Sequence, residues 1–398
     1  MNKKLLVLGA GFLQRFVIRR AKEMGYFVVA VDGAADAPGL AEADEHAVVD
    51  IADPQACLRY AEHKGIDGVL CAATDYAVEA AAGIAEALNL PGNKLEVARL
   101  VKDKYRTRVA MEKAGVGLPG AFLADISQRT HLPDKIAFPV MVKPCDGSGS
   151  RGTVKVEALA GLEQALLAAW RASRSGRALI EPYIVGQEYG VELIVVQGEP
   201  RVLAIMRKWM TPPPYYAELG HAMPSGLTTE REAAIARTAI RAVKALGIIT
   251  GAVNMDVLLT DEGGVHIVDI GARMGGNLIG SHLVPLGAGY DEMGNLIRMA
   301  VGDAAELPDG GTAKQAVATR ILALSSGVVE RLPDFKALER ELGIQVLHHL
   351  TTGGRITPYR TNLDGCGYVL ARGDTMHEAV RKADAALQRI DQSIIRET

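Results

Sequence analysis

The first ninety residues alternate short apolar runs with helical stretches, and this constrains the fold more than any other feature of the chain. Lys4 to Leu8 is a β-branched and leucine-rich run that ends in the turn Gly9-Ala-Gly11. Gln14 to Met24 has helical spacing and closes at Gly25, and Tyr26 to Asp32 is the next strand. Val48-Val49 and Val69-Leu-Cys-Ala supply further strands, with helices over Pro54–Lys64 and Tyr76–Leu88. Strands that alternate with helices pair in parallel through right-handed crossovers, which predicts a doubly wound α/β sheet.

At 398 residues, the chain is long enough for two or three domains at roughly 150 residues each. An apolar fraction of 48% supports a sizeable core and argues against disorder. A formal charge of −3 provides no positive field to gather phosphate backbones, so no nucleic-acid partner is expected. Cys57, Cys71, Cys145 and Cys366 are scattered, with no Cys-x-x-Cys pair, so neither a disulfide framework nor a structural zinc site is expected and a cytoplasmic setting follows. Lys3-Lys4 and the apolar run after it resemble the start of a signal peptide, but Gln14, Arg15, Arg19 and Arg20 follow at once, so a first strand is the better reading. No run approaches the ~20 apolar residues of a membrane span.

Gly9-Ala-Gly11 with Asp32 suggests a dinucleotide site, but position 14 is Gln where the fingerprint needs Gly. A turn that requires small residues is the preferred reading. Thr74-Asp75, at the carboxyl end of a parallel strand, could contact substrate or cap the following helix.

Further along, Lys102-Asp-Lys104-Tyr-Arg106 opens a helix that ends near Ala114-Gly115. Phe138 to Lys143 is a strand that runs into a loop holding Gly147, Ser148, Gly149, Ser150, Arg151 and Gly152, and Thr153-Val-Lys-Val returns as a strand. Such a hairpin loop can turn bare N–H groups toward phosphate oxygens. It lacks the Gly-Lys-Ser/Thr ending of a Walker A loop, and a flexible hairpin tip is the alternative. Lys143 and Arg151 favour the phosphate reading. Arg177 to Glu181 is a strand, and an extended link, Pro182-Tyr-Ile184, leads to a strand that begins near Glu188. The Pro182 carbonyl and the Ile184 N–H could meet the edge of adenine, and Glu188 could accept from ribose hydroxyls. Taken singly, each glutamate could equally be a solvated charge.

Two carboxylates are brought together by the next segment. Asn254 to Thr260 and Val265 to Asp269 flank the four-residue turn Asp261–Gly264. Pairing Thr260 with Val265 sets Leu258 opposite Ile267 and Asp256 opposite Asp269, with Cβ atoms about 5 Å apart. Opposed carboxylates repel, so a shared proton, the nearby Arg273 or a divalent metal must stabilise them. Oxygen-only ligands beside a phosphate loop suit Mg²⁺; a structural Asp–Arg cluster is the alternative.

The order of strand lysine, glycine-rich hairpin, Glu181-Pro-Tyr-Ile link and paired carboxylates resembles the ATP-grasp superfamily over nearly the whole chain. Gly271-Ala-Arg273-Met-Gly-Gly276 and Pro212 to His221 are most similar to its L-amino-acid ligase branch. The resemblance implies a Rossmann-like domain over 1–92, an ATP-grasp domain over 93–312 with a mobile lobe near 118–185, and an α+β domain over 313–398 joined at Asp309–Thr312. It also implies ATP with Mg²⁺, or Mn²⁺ in its place. Lys104, Lys143 and the 147–152 loop would contact phosphates; Glu181, Pro182 and Ile184 would frame adenine; Glu188 would hold ribose; and Asp256 and Asp269 would bind metal. Arg273 would steady an acyl phosphate, Glu218 and His221 would line an amino-acid pocket, with His221 a candidate base, and Asn277 would bound that pocket. The implied reaction joins a small carboxylate to an amine, with amino acids as the expected substrates and a homodimer as a common assembly.

Two departures stand out. The family usually has Glu at the two metal positions, and usually Asn where this chain has Gly271. A ligase for other substrates and a non-catalytic ATP-binding regulator are the alternatives. In the C-terminal part, strands over Gln315–Ala323 and Cys366–Ala371 and helices over Asp334–Leu342 and Thr375–Ile390 are expected. The basic turn Gly353–Arg360 reads as solvated.

Overall fold

The computed structural model describes residues 2–117, 120–126, 136–308 and 314–397. The linker expected at Asp309–Thr312 lies outside the described residues.

Strands β1 (Lys4–Leu8), β2 (Phe27–Asp32), β3 (Glu45–Val48) and β4 (Gly68–Cys71) form a parallel sheet in the order β3-β2-β1-β4. Helix α1 (Gln14–Glu23) connects β1 to β2, α2 (Pro54–Lys64) connects β3 to β4, and α3 (Val78–Ala87) follows β4. The apolar runs of β1 and β2 are buried on both faces, as a doubly wound sheet requires. The dinucleotide motif serves structure here: Asp32 accepts the N–H groups of Ala10 and Ala34, and the Gln14 amide donates to the Ala72 carbonyl.

Two helices follow, α4 (Leu95–Lys102) and α5 (Lys104–Lys113). The single helix expected to open at Lys102 therefore begins at Lys104, because Asp103 leaves the helical conformation and accepts the N–H of Arg106 as its cap. Strands β5 (Phe122–Asp125), β6 (Val140–Pro144), β7 (Val154–Val156) and β8 (Arg177–Pro182) make a separate antiparallel sheet, covered by α6 (Leu162–Ala172) over its own apolar core.

The largest sheet has eight strands. It contains β9 (Gln187–Val196), β10 (Glu199–Met210), β11 (Glu218–Met223), β12 (Gly251–Leu259) and β13 (Val265–Gly271). Helix α7 (Thr229–Ala245) covers one face, and α8 (Glu292–Ala300) and a π-helical segment, Ile279–Ala288, join the core shared with the first sheet. The sheet continues from β11 into β14 (Ala316–Ile321), with Ala222 opposite Ala318.

The last segment adds β15 (Gly327–Arg331), α9 (Phe335–Leu342), β16 (Ile344–His348), β17 (Arg355–Ile356), β18 (Gly367–Gly373), α10 (Met376–Ser393) and β19 (Ile395–Glu397). Strands β18 and β16 extend the large sheet, so the chain's end is built onto the centre rather than beside it. Among the described residues no helix is long and apolar enough to cross a membrane.

Candidate active site

The hairpin of β12 and β13 sets the site. Asp256 lies opposite Asp269, as the sequence predicts, but the inner register differs. Leu258 faces His266, and Val257 faces Ile267. The turn is tighter-bonded and one residue longer: the Thr260 N–H reaches the Gly264 carbonyl at 2.9 Å, and Leu259 pairs with Val265. A bulge at Val268 absorbs the extra residue and restores the aspartate pair. The carbonyl of Val268 accepts from Arg108 and Lys143, so the bulge also aims an acceptor at two cations.

Each aspartate has its own lysine. Lys104 Nζ lies 2.6 Å from Asp269, and Lys208 Nζ lies 2.7 Å from Asp256. Lys208 is 1% exposed and also reaches Glu218 at 2.8 Å and Glu188 at 3.4 Å. Burial opposes its charge, but the three carboxylates hold its pKa well above the ordinary lysine value. Burial pushes Asp256 up, and Glu218 and Glu188 add to this. For Asp269, burial also acts upward, but Lys104, Lys143 and Arg108 outweigh it, so it stays ionised.

Lys143 and Glu181, expected at phosphate and adenine, meet each other. Glu181 lies 2.5 Å from Lys143 Nζ and 2.6 Å from Arg108 Nε. Burial alone would raise this carboxyl, but the two cations pull it down to about 2. Pro182 and Ile184 line the same cavity and flank Tyr183, whose N–H is spent on the Pro139 carbonyl.

The glycine-rich loop closes over this floor. Gly147, Ser148, Gly149, Ser150 and Arg151 line the cavity, with Gly149 and Ser150 in left-handed conformation. Gly152 turns away: a Cβ there would sit 2.7 Å from Ala172 Cβ, so its part is close packing on α6 rather than contact with a ligand. Ser150 Oγ donates to the Tyr216 carbonyl at 2.8 Å, and Arg151 bonds the Tyr76 hydroxyl.

Arg273 follows β13 and docks on the first sheet, where Ala73 N–H donates to the Met274 carbonyl. Asp75 takes the guanidinium in a two-pronged grip, at 2.8 Å to Nε and 3.1 Å to Nη2. Asp75 is therefore not a helix cap, since α3 starts at Val78 without a side-chain cap, and it lines the cavity. Asn254 Oδ1 accepts from Arg273 Nη1 at 3.4 Å and sits opposite Gly271, so an amide faces the position where the family's Asn is missing.

Glu218 and Asn277 bound one end of the cavity. Asn277 donates to Glu218 and accepts from the Tyr368 hydroxyl at 3.0 Å. Asn362 accepts the Glu218 N–H at 2.9 Å, and Tyr359 donates to the Glu218 carbonyl. The turn read as solvated, Gly353–Arg360, thus supplies Tyr359, and Asn362 follows just after it. Burial pushes Glu218 up, but the buried ammonium of Lys208 outweighs it and keeps it ionised. His221 is 1% exposed, and burial lowers its pKa to about 4, which makes it a neutral contact and a weak base.

Sequence reading missed Lys208, Arg108, Asn254 and Tyr368. Lys208 carried a signal: it is in phase with buried Ala204 and Met206 on β10. The cavity formed has a volume of about 1100 Å³, is lined by residues from all parts of the chain, and contains Asp256, Asp269, Arg273, Glu188 and Glu218.

The ATP-grasp domain family matches residues 136–281, and L-amino acid ligase C-terminal domain 2 matches residues 320–394. A D-alanine–D-alanine ligase of Aromatoleum aromaticum is 30% identical over 214 residues, covering 52% of this chain and 67% of that one. An uncharacterized protein of Sinorhizobium fredii is 28% identical, covering 77% of this chain and 64% of its own length. The chain thus spans about two thirds of these relatives. The crystal structure of an L-amino acid ligase from Bacillus licheniformis superposes with a TM-score of 0.86 at 23% identity, covering 100% of this chain and 99% of that one.

Proposed function

This chain belongs to the ATP-grasp superfamily, and on that footing we propose that it is an ATP-dependent carboxylate–amine ligase that joins two amino acids through an acyl phosphate. One observation carries the reading: a single cavity is walled by the glycine-rich loop, the opposed aspartates, Arg273 and the ionised Glu218.

The donor set suits a divalent cation. Asp256 and Asp269 face each other and offer oxygen only, and phosphate oxygens would complete the shell of Mg²⁺, or of Mn²⁺ in its place. Lys104 and Lys208 lie against these carboxylates and balance their charge. The cation, when bound, supplies charge neutralisation at the phosphates.

The chain's own groups do the rest. Lys104, Lys143, Glu188, Pro182 and Ile184 line one cavity, which supports a reading in which the lysines take phosphate oxygens, Glu188 accepts from ribose, and Pro182 and Ile184 flank adenine. Asp75 fixes Arg273, which offers N–H donors where negative charge develops on the substrate carboxyl. One carboxylate oxygen attacks the terminal phosphorus, and ADP leaves. Glu218 receives the ammonium of the second substrate, and Asn277 and Tyr368 bound its side chain. The ammonium loses one proton to solvent, the amine attacks the acyl carbon, and phosphate departs carrying a second proton. Contacts of Ser150 and Arg151 hold the loop closed, which keeps water from the acyl phosphate.

The acyl phosphate is tested by labelling the substrate carboxylate with ¹⁸O. Transfer of one ¹⁸O to released phosphate supports the reading, and unlabelled phosphate contradicts it.

A further inference from the structure

We propose that Glu292, at the start of α8, shares a single proton with Glu192 and that the pair positions Arg273 through Asn254. The inference rests on the ligase reading, in which Arg273 serves the reacting carboxyl.

Glu192 lies on β9 and is fully buried. One of its oxygens accepts the Gly275 N–H at 2.7 Å, and the other accepts Asn254 Nδ2 at 2.8 Å. That second bond fixes which way the Asn254 amide points, and leaves its Oδ1 toward Arg273 Nη1. Asp75 holds the guanidinium from one side and the Glu192–Asn254 pair from the other.

Glu292 is also fully buried and lies against Glu192. Neither of its oxygens meets a donor among the described residues. Two buried carboxylates in contact would carry an uncompensated charge and two orphaned acceptors. One proton removes the charge of Glu292 and turns one of its two orphaned oxygens into a donor toward Glu192. Glu192 already accepts two N–H bonds, so it is the carboxylate; Glu292 holds the proton and donates it in a hydrogen bond. Burial first, and then the adjacent Glu192, push the Glu292 carboxyl well above the usual range, in the same direction.

The surrounding glycines fit this arrangement. A Cβ on Gly275 would fall 2.8 Å from Glu192 Oε2 and 2.9 Å from Asn254 Nδ2. One on Gly280 would fall 2.9 Å from Glu292 Oε2. Gly275 belongs to the run Gly271–Gly276, so part of that motif's glycine content keeps space for the buried pair. Glu292 never touches the cavity and is a positioning residue.

The test uses the full chain with Glu292→Gln, which keeps a donor to Glu192, and Glu292→Leu, which does not. Glu292→Leu is expected to lose about 10–100-fold in kcat, with the KM for ATP nearly unchanged. Glu292→Gln is expected to retain most of kcat. Infrared difference spectra are expected to show a protonated-carboxyl C=O band that disappears in Glu292→Gln. Full kcat in Glu292→Leu, equal losses in both variants, or no such band would overturn the proposal. Should the unsubstituted protein turn over no substrate pair, the ligase reading fails, and the infrared band alone decides on the proton.

Discussion

The ammonium of Lys208 lies 2.7 Å from Asp256 Oδ1, and the same atom reaches Glu218 and Glu188. A single buried cation therefore links the groups proposed for ribose, metal and amine. Its removal leaves three carboxylates without their shared counter-charge. Lys208→Met is expected to lower unfolding free energy by about 3–5 kcal/mol, measured by denaturant titration. A loss below 1 kcal/mol would mean that the carboxylates do not depend on it.

Asp75 and Arg273 are 198 positions apart, and their contact joins the first sheet to the segment that follows the β12–β13 hairpin. Asp75→Ala frees the guanidinium from both bonds. About a hundredfold loss in kcat is expected, because misplacement on the order of 1 Å has that effect. The KM for ATP should hardly move, since Asp75 grips Arg273 and not the nucleotide pocket. Steady-state kinetics with ATP varied separates the two.

The aspartate pair was legible because side-chain period and turn length fix what faces what across a hairpin. It survived for a reason the pattern did not contain: the longer turn slips the register by one, and the bulge at Val268 slips it back. Lys208 was illegible because a charge in a strand ordinarily marks a solvated face; only its phase with Ala204 and Met206 hinted otherwise. Glu292 reads from sequence as an acid that favours a helix N-terminus, and nothing local reveals that Glu192 waits 100 residues away in sequence. The fold was read from local periodicity. The pairing of Lys143 with Glu181, and of Asp75 with Arg273, depends on tertiary contacts that periodicity does not encode.

Glu181 sets an acid limit on stability. Its folded pKa, about 2, lies below the ordinary 4.5, so the contribution is present above about 4.5 and is lost as pH falls toward 2. Glu181→Gln should flatten this part of the stability–pH curve, whatever its absolute stability. Chemical denaturation across pH 2 to 5 checks it; an unchanged slope would mean that Glu181 is not the titrating group.

Gly152 has φ +71° and no room for a Cβ against Ala172 and Ala168. Gly152→Ala is expected to weaken the lobe by about 1–3 kcal/mol and to raise the KM for ATP. Limited proteolysis of the 147–152 loop, with and without ATP, reads the change directly.

In the proposed reaction, ATP cleavage is coupled to joining two amino acids. ADP and phosphate formation from Mg-ATP, measured across pairwise mixtures of the twenty L-amino acids, tests it most directly. ADP formation that requires a particular pair and yields one phosphate per dipeptide is the expected result. Phosphate release that no pair stimulates would contradict it.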